Sequence, residues 1–282
     1  MIPFTGSPLD RSAIHRDDLS WIASRLSDPL SRIVGVREGK LLVREGNLHS
    51  VEWRNEPAVF LGVDADDVAW FAVESTAEET DGGTFEEMRP LATTLPPEEV
   101  AIAGVARSLF EWHRRHGFCA VCGNATDIIS AGWKRLCPKC GAEHFPRVDP
   151  VVIMLPVLGD RCLLARNPGW PKGRMAPLAG FIEPGESIEE ACAREMAEEA
   201  SLVATKVTYM ASQPWPFPSS LMFGLIAEVA DENAVADGVE LEEVRWLSRE
   251  EARAVLAGRH PDVLAPNRYA IAHHLLTSWS AG

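Results

Sequence analysis

The chain lacks any apolar run long enough to span a bilayer as a helix, which takes about 20 residues, so no transmembrane helix is expected. Its start, Met1-Ile-Pro-Phe-Thr-Gly-Ser-Pro-Leu-Asp10, lacks the basic and then apolar regions of a secretory signal. These two absences make the cytoplasm the expected compartment. Basic residues are in deficit, 27 Lys and Arg against 41 Asp and Glu, for a net charge of −14. That excludes a large non-specific nucleic-acid footprint, which needs clustered Lys and Arg. It leaves room for a small phosphorylated substrate if divalent cations stand between carboxylates and phosphate. Internal repeats and low-complexity runs are missing as well. Cysteines number six, and in a reducing compartment they serve as thiols or metal ligands rather than disulfides.

What is present is a chain of 282 residues, 46% apolar and 24% charged. Domains usually run to about 100–200 residues, so two or three units are expected, and wholesale disorder is not. The first hundred residues read mainly as strands. Arg32 to Arg44 forms a hairpin turning at Glu38-Gly39-Lys40, and Ala58–Val63 pairs with Val68–Val73 across the acidic turn at Asp64 to Asp67. Thr76 to Thr84 is polar and reads as a loop. Pro96-Pro97-Glu-Glu opens a helix with an apolar stripe through Val100, Ala103, Val105, Ala106, Leu109 and Phe110, and Gly117 ends it. In the second half, strands are expected at 151–158, 161–165, 205–211, 221–229 and 244–247, and helices at 187–200, 249–257 and 267–277. This mixture predicts an α/β or α+β sandwich, preceded by a separate β-rich domain.

Cys119-Ala-Val-Cys122 and Cys137-Pro-Lys-Cys140 are two C-x-x-C units with fourteen residues between them. A glycine follows each, Gly123 and Gly141, and lets the backbone turn tightly so that amides face the sulfurs. Four thiolates form a closed tetrahedral set suited to structural zinc, since a catalytic zinc keeps one position open. The basic residues around it (Lys134, Arg135 and Lys139) make only a weak patch. Cys162 and Cys192 fall outside the pattern and read as small core residues.

Ser187-Ile-Glu-Glu190 is a capping box at the start of a helix. One face of that helix runs Ile188, Ala191 and Cys192, Glu195, Glu198 and Glu199, then Leu202. Three carboxylates thus interrupt a stripe that should face the protein. Such a cluster is costly to bury without something positive bound to it, and hard divalent ions take oxygen ligands of this kind. The preceding Leu178-Ala-Gly-Phe-Ile-Glu-Pro-Gly-Glu186 reads as a strand, then a loop. That corner can present a backbone carbonyl and helix carboxylates to one metal cluster.

Gly180, Glu186, Arg194, Glu195, Met196, Glu198, Glu199 and Leu202 resemble the Nudix box, G-x5-E-x7-R-E-U-x-E-E-x-G-U, with Ser201 in place of its second glycine. Downstream, Ser212-Gln-Pro-Trp-Pro-Phe-Pro-Ser-Ser220 is similar to the S-Q-P-W-P-F-P-x-S signature of the NADH pyrophosphatase branch of that superfamily. The branch also carries a four-cysteine ribbon just before its Nudix domain and a divergent N-terminal domain. The resemblance is specific from about Phe118 to Trp246 and architectural before that. It implies a β-rich domain at 1–95, a connecting helix at 96–117, a zinc ribbon at 118–146 and a Nudix sandwich at 147–282.

The resemblance further implies hydrolysis of NAD(H) to nicotinamide mononucleotide and AMP, and some members also remove NAD caps from RNA. Glu195, Glu198, Glu199, Glu240 and the Ala179 carbonyl match the ligands of Mg²⁺ or Mn²⁺. Phe181 matches an aromatic that packs on the nicotinamide ring. Gln213, Pro214, Trp215, Pro216, Phe217, Pro218, Ser219 and Ser220 match the substrate-specificity loop. Phe145 and the Ala272 backbone match substrate contacts, and Arg89 aligns with an N-terminal substrate arginine. A homodimer is implied too. Gly132 stands before Trp133 where the family can offer a glutamate. On this reading Glu198 or Glu199 takes the proton of the attacking water, while Arg194 pairs with Glu186 and stiffens the corner. Another dinucleotide such as ADP-ribose is the competing substrate. A zinc-ribbon binding module with an inactive Nudix domain is the competing class.

Overall fold

The computed structural model describes residues 2–76 and 80–282. The chain divides into two compact units, residues 3–148 with 214–219, and residues 149–213 with 220–282. No helix among the described residues is long and apolar enough to cross a membrane.

The first unit opens with α1 (Leu19–Leu26), capped by the Asp18 carboxylate, which accepts from the Ser20 and Trp21 amides. Five strands follow: β1 (Arg32–Arg37), β2 (Lys40–Arg44), β3 (Asn47–Leu48), β4 (Ala58–Val63) and β5 (Ala69–Glu74). They order as β3-β2-β1-β5-β4, with β6 (Thr84–Glu86) also pairing β2. Both expected hairpins are present, and β1 additionally pairs in parallel with β5. Trp21, Ile22 and Leu26 of α1 pack on Phe60 and Phe71. Then come α2 (Met88–Thr94) and α3 (Pro97–Arg115), whose Val100, Ala103, Ala106 and Leu109 are buried. Two helices, α1 and α2, therefore break the mainly-strand reading of the first hundred residues. Of the stretch read as a loop at 76–84, residues 77–79 lie outside the described residues, and Thr84 belongs to β6. The cysteine segment contributes β7 (Asp127–Ile129), β8 (Lys134–Leu136) and β9 (Glu143–His144), an antiparallel three-stranded sheet.

The second unit is built on β10 (Asp149–Leu158). Its first half pairs antiparallel with β12 (Leu178–Phe181) and its end with β11 (Arg161–Arg166). Along its length it pairs in parallel with β14 (Ser220–Val229). β13 (Ala204–Trp215) and β15 (Glu243–Ser248) complete the order β13-β14-β10-β11-β15. Side chains alternate across β10 as a strand requires. Val152 and Met154 meet Ala191, Cys192, Met196 and Ala200 of α4 (Ile188–Ala200). Leu155 and Val157 meet Ala252 and Val255 of α5 (Arg249–Leu256) and Leu276 of α6 (Ile271–Ala281). Helices thus cover both faces of a mixed sheet. The final helix starts at Ile271 rather than 267, because Asn267 to Ala270 forms a turn closed by the Ala270 amide on the Asn267 carbonyl.

Candidate active site

The capping box at the start of α4 forms as the sequence requires: Ser187 Oγ accepts from the Glu190 amide, and the Glu190 carboxylate accepts from the Ser187 amide. The helix is then anchored through Ala191, Cys192, Met196 and Ala200, all fully buried. That anchoring carries Glu195 and Glu199 inward, to 9% and 4% exposure. Glu198 does not share the buried line. Its side chain is 62% exposed, which corrects the expectation of three carboxylates on one inward face.

Arg194 organises the corner. Its Nε and Nη2 donate to Glu186 Oε1 and Oε2 at 2.6 and 2.8 Å, a bidentate pair. Nη2 also donates to the Phe181 carbonyl at 2.9 Å, and Nη1 to Glu195 Oε1 and Glu198 Oε2 at 2.9 and 3.1 Å. The guanidinium holds the Glu186 carboxyl down at about 2. One side chain therefore ties the β12 end, the loop and the helix together.

Gly180 allows the close approach of strand and helix. A Cβ there would lie 1.9 Å from Glu195 Cδ, so any other residue would displace that carboxylate. Ala179 sits one residue earlier on β12, opposite Ile153. Deepest in the corner, Glu199 Oε2 is buried with no hydrogen-bond partner among the described residues. Burial, then the charges of Glu195, Glu240, Asp237 and Glu198, push its carboxyl up to about 8. Burial is also the main reason that Glu195 is raised, against the opposing pull of Arg194. A partnerless buried carboxylate oxygen among other carboxylates is the donor chemistry of a hard divalent cation, so the residues fit such an ion.

Glu240 is presented by a turn that sequence reasoning missed. Asp237 Oδ1 accepts from the Val239, Glu240 and Leu241 amides at 3.2, 3.1 and 2.8 Å. The Asp237 amide donates to the Glu199 carbonyl at 3.1 Å. The Asp237-Gly238 dipeptide was the available turn signal.

The stretch from Gln213 to Ser220 is less of a loop than expected. Gln213, Pro214 and Trp215 end β13, Ser220 opens β14, and only Pro216, Phe217, Pro218 and Ser219 turn between them. Gln213 is fully buried. Its Nε2 donates to the Tyr269 carbonyl at 2.8 Å and its Oε1 accepts from the Ile271 amide at 2.7 Å. It holds the start of α6 and places Ala272 in that helix's first turn, where amides have no acceptor within the helix. Phe181 is 61% exposed.

In the first unit, the hairpin tip packs its rings together. Trp215 and Phe217 lie edge to face at 5.0 Å, and Phe4 meets both. The Arg89 guanidinium lies 4.1 Å from the Phe217 ring centroid, and Arg107 lies 5.0 Å from it. Arg107 also donates to the Pro216 carbonyl. Arg89, Arg107, Glu111, Arg115, Phe217 and Pro218 line a cavity of about 710 Å³. Phe145 is 60% exposed, with Lys134 Nζ 5.4 Å from its ring centroid.

The ligand atoms of Cys119, Cys122, Cys137 and Cys140 all lie within 4.8 Å of one another, the one group of three or more His, Cys, Asp or Glu to converge so closely among the described residues. Cys119 and Cys140 Sγ are 3.6 Å apart, and Cys122 and Cys137 Sγ 3.5 Å. A tetrahedron with metal–sulfur bonds of about 2.3 Å has edges of about 3.8 Å, so the set fits a four-thiolate metal. Both knuckles close alike. The Cys119 and Cys137 amides donate to the Asn124 and Ala142 carbonyls, and Gly123 and Gly141 donate back to the cysteine carbonyls. Both glycines have positive φ, 75° and 73°. The Val121 amide and His144 Nε2 reach Cys119 Sγ at 3.4 and 3.3 Å. Cys162 and Cys192 are fully buried, as core residues should be.

Three family models match along the chain. These are the NADH pyrophosphatase-like rudimentary NUDIX domain at residues 20–112, the NADH pyrophosphatase zinc ribbon domain at 114–145 and the NUDIX domain at 147–266. The NAD-capped RNA hydrolase NudC of Mycobacterium bovis is 36% identical over 86% of this chain and 83% of its own length. The chain belongs to the NADH pyrophosphatase branch of the Nudix superfamily. The human NAD-capped RNA hydrolase NUDT12 is 41% identical over 75% of the chain, and the chain spans about half of that protein, 50%. The mouse mitochondrial NAD(P)H pyrophosphatase NUDT13 is 36% identical over 80% of the chain and 72% of its own length. The Nudix box accounts for the corner at Gly180 and Arg194 and implies a divalent metal there, while the ribbon implies a metal on the four cysteines.

Proposed function

We propose that this Nudix chain hydrolyses the diphosphate of NAD(H) to nicotinamide mononucleotide and AMP, and cuts the same linkage in NAD-capped RNA, acting as a cytoplasmic homodimer. The observation that carries the reading is Glu199, buried beside Glu195 in the corner of the Nudix box, with its Oε2 lacking a hydrogen-bond partner among the described residues. Relatives named for NAD-capped RNA and NAD(P)H support the choice of substrate.

Glu195, Glu198, Glu199, Glu240 and the Ala179 carbonyl would hold Mg²⁺ or Mn²⁺, and the four cysteines a structural zinc. Bound there, the divalent ions supply charge neutralisation on the non-bridging phosphate oxygens and acidify water. The protein's part is positioning and electrostatics. Arg194 and Glu186 fix the corner, so that the carboxylates need not reorganise as the diphosphate is cleaved. Glu198 faces water and Glu199 does not, which favours Glu198 as acceptor of the proton from the attacking water. The exposed Phe181 and Phe145 rings offer flat surfaces to a nicotinamide or adenine base, and the Ala272 amide offers a donor. Arg89 and the rings of Trp215 and Phe217 shape the specificity hairpin from Gln213 to Ser220, with Gln213 acting through its grip on α6.

The test is Glu199→Gln assayed for NADH hydrolysis with Mg²⁺, the products being separated by chromatography. Turnover should fall by at least about 100-fold, because several kcal/mol of charge stabilisation are at stake and each 1.36 kcal/mol is tenfold. Unchanged turnover overturns the assignment. Ranking NADH, NAD-capped RNA and ADP-ribose by kcat/KM fixes the substrate.

A further inference from the structure

Three side chains of the first unit make a cluster that the hydrolytic reading leaves unused. Arg11 follows Asp10, whose backbone bridges to Val63. Arg16 ends the short helical turn Ala13–His15. Trp133 precedes β8, and its Nε1 donates to the Phe60 carbonyl at 2.6 Å, which fixes the indole plane. The Arg16 guanidinium carbon lies 3.8 Å from the Trp133 ring centroid and that of Arg11 5.5 Å. All three side chains are half-buried.

The neighbouring carboxylates are engaged elsewhere. Asp10 Oδ1 accepts from the Ser12 amide at 2.7 Å, and Asp17 Oδ1 from the Ser130 hydroxyl at 2.5 Å. Asp18 caps α1. Among the described residues neither Arg11 nor Arg16 forms an ion pair, and Arg16 Nε is buried with no hydrogen-bond partner. Burial pulls both guanidiniums down from their ordinary value, and Arg11 pulls Arg16 further. Acidic residues outnumber basic ones by 41 to 27 in this chain, so two adjacent arginines without a carboxylate run against its charge balance. A stack on indole offsets only part of the cost of bringing two such cations together.

We propose that Arg11 and Arg16, stacked on Trp133, form a binding site for a phosphate group. A guanidinium presents donors in a planar fork that matches phosphate oxygens two at a time. The indole fixes one fork in advance, and two forks suit the non-bridging oxygens that a phosphate monoester and a phosphodiester both present. The group comes either from a free phosphate or mononucleotide or from the backbone of a single RNA strand. The site does not depend on the candidate metal-binding glutamates, so it is tested without added Mg²⁺ or Mn²⁺.

The experiment is calorimetry on the full zinc-loaded chain with two probes, inorganic phosphate and a short single-stranded RNA lacking an NAD cap. The expected result is one phosphate per chain, bound more weakly as salt rises. Binding should weaken about tenfold or more in the Arg11→Gln/Arg16→Gln double variant, the loss expected of a charge-assisted pair. Arg16→Lys, which keeps the charge and loses the fork, should fall between and carries the test if the double variant misfolds. RNA bound much more tightly than phosphate, with the same dependence on both arginines, identifies the strand as the source. Equal affinities identify the free group. A wild-type chain that binds neither probe, or variants that bind both as the wild type does, overturn the proposal.

Discussion

Ser201 ends α4 at φ 55° and ψ 28°, a left-handed conformation that suits glycine and strains a side chain. The Leu202 amide still reaches back to the Met196 carbonyl at 3.1 Å, so the helix closes as a glycine would close it. The departure from the Nudix box therefore costs stability and leaves the site's geometry intact. Ser201→Gly should raise stability by about 1 kcal/mol, read as a higher urea midpoint, with Mg²⁺-dependent turnover unchanged. A lower midpoint would show that the serine relieves its own strain. The same helix marks how far single residues were legible. The Arg194–Glu186 pair followed from a long cation eight positions from a loop carboxylate. The exposure of Glu198 did not follow, because helical spacing places it between the buried line and the solvent edge. Packing of Ala191, Met196 and Ala200 on the sheet decides which way the helix is rolled, and no periodicity within the helix records that.

Among the elements, the hairpin of β13 and β14 is instructive. Pro214, Pro216 and Pro218 argue for a loop, yet β13 lies at the sheet edge, where a missing donor disturbs no inner ladder. Helix α1 escaped notice for another reason. It is only eight residues long and buries none of them fully, although Asp18 caps it and Trp21, Ile22 and Leu26 share the face that packs on Phe60 and Phe71. The turn at Asp237 couples two candidate metal ligands through the backbone, from the Glu199 carbonyl to the Glu240 amide. Asp237→Ala should weaken Mn²⁺ binding, read by electron paramagnetic resonance, by about tenfold, as loss of an outer partner does. Asp237→Asn, which keeps an acceptor, should restore most of it; equal binding by all three would remove Asp237 from the positioning role. The contact between α3 and the ribbon segment carries a pH dependence. His113 Nε2 faces the Gly132 carbonyl at 2.9 Å and its Nδ1 faces Arg135 at 3.1 Å, which leaves no place for a second proton. Burial, with Arg135 adding to it, lowers its pKa from 6.5 to about 4. The unfolded chain then takes up a proton near pH 6.5 that the folded chain refuses until about 4. Stability falls as pH drops through that window, by up to about 3 kcal/mol. His113→Gln should flatten this limb in urea titrations between pH 7 and 4.5, and parallel curves for both proteins would rule His113 out.

At the scale of the whole chain, the Nudix box and the four cysteines imply metal at two separate places in the sequence. The order of ribbon before Nudix unit was legible because cysteine spacing and the glutamate box are local patterns. The parallel pairing of β1 with β5 was not, since it joins strands more than thirty residues apart and leaves no local mark. The ribbon strands have only three, three and two residues. Phe118, Val121 and Ile128 around them are exposed, so this segment has little apolar core of its own. Binding of a structural zinc supplies roughly 10 kcal/mol or more, comparable with the entire stability of a domain at about 5–15 kcal/mol. The metal should therefore decide whether residues 118–146 are folded. One zinc per chain is expected on release to a colorimetric chelator. Its removal should abolish amide protection across β7, β8 and β9 while α4 in the other unit stays protected, and Cys140→Ser should shift the loss to lower chelator concentration. Ribbon amides that remain protected after the metal has gone would mean that hydrogen bonding at the two knuckles is enough to hold the segment, and that the four sulfurs converge without a structural need for zinc.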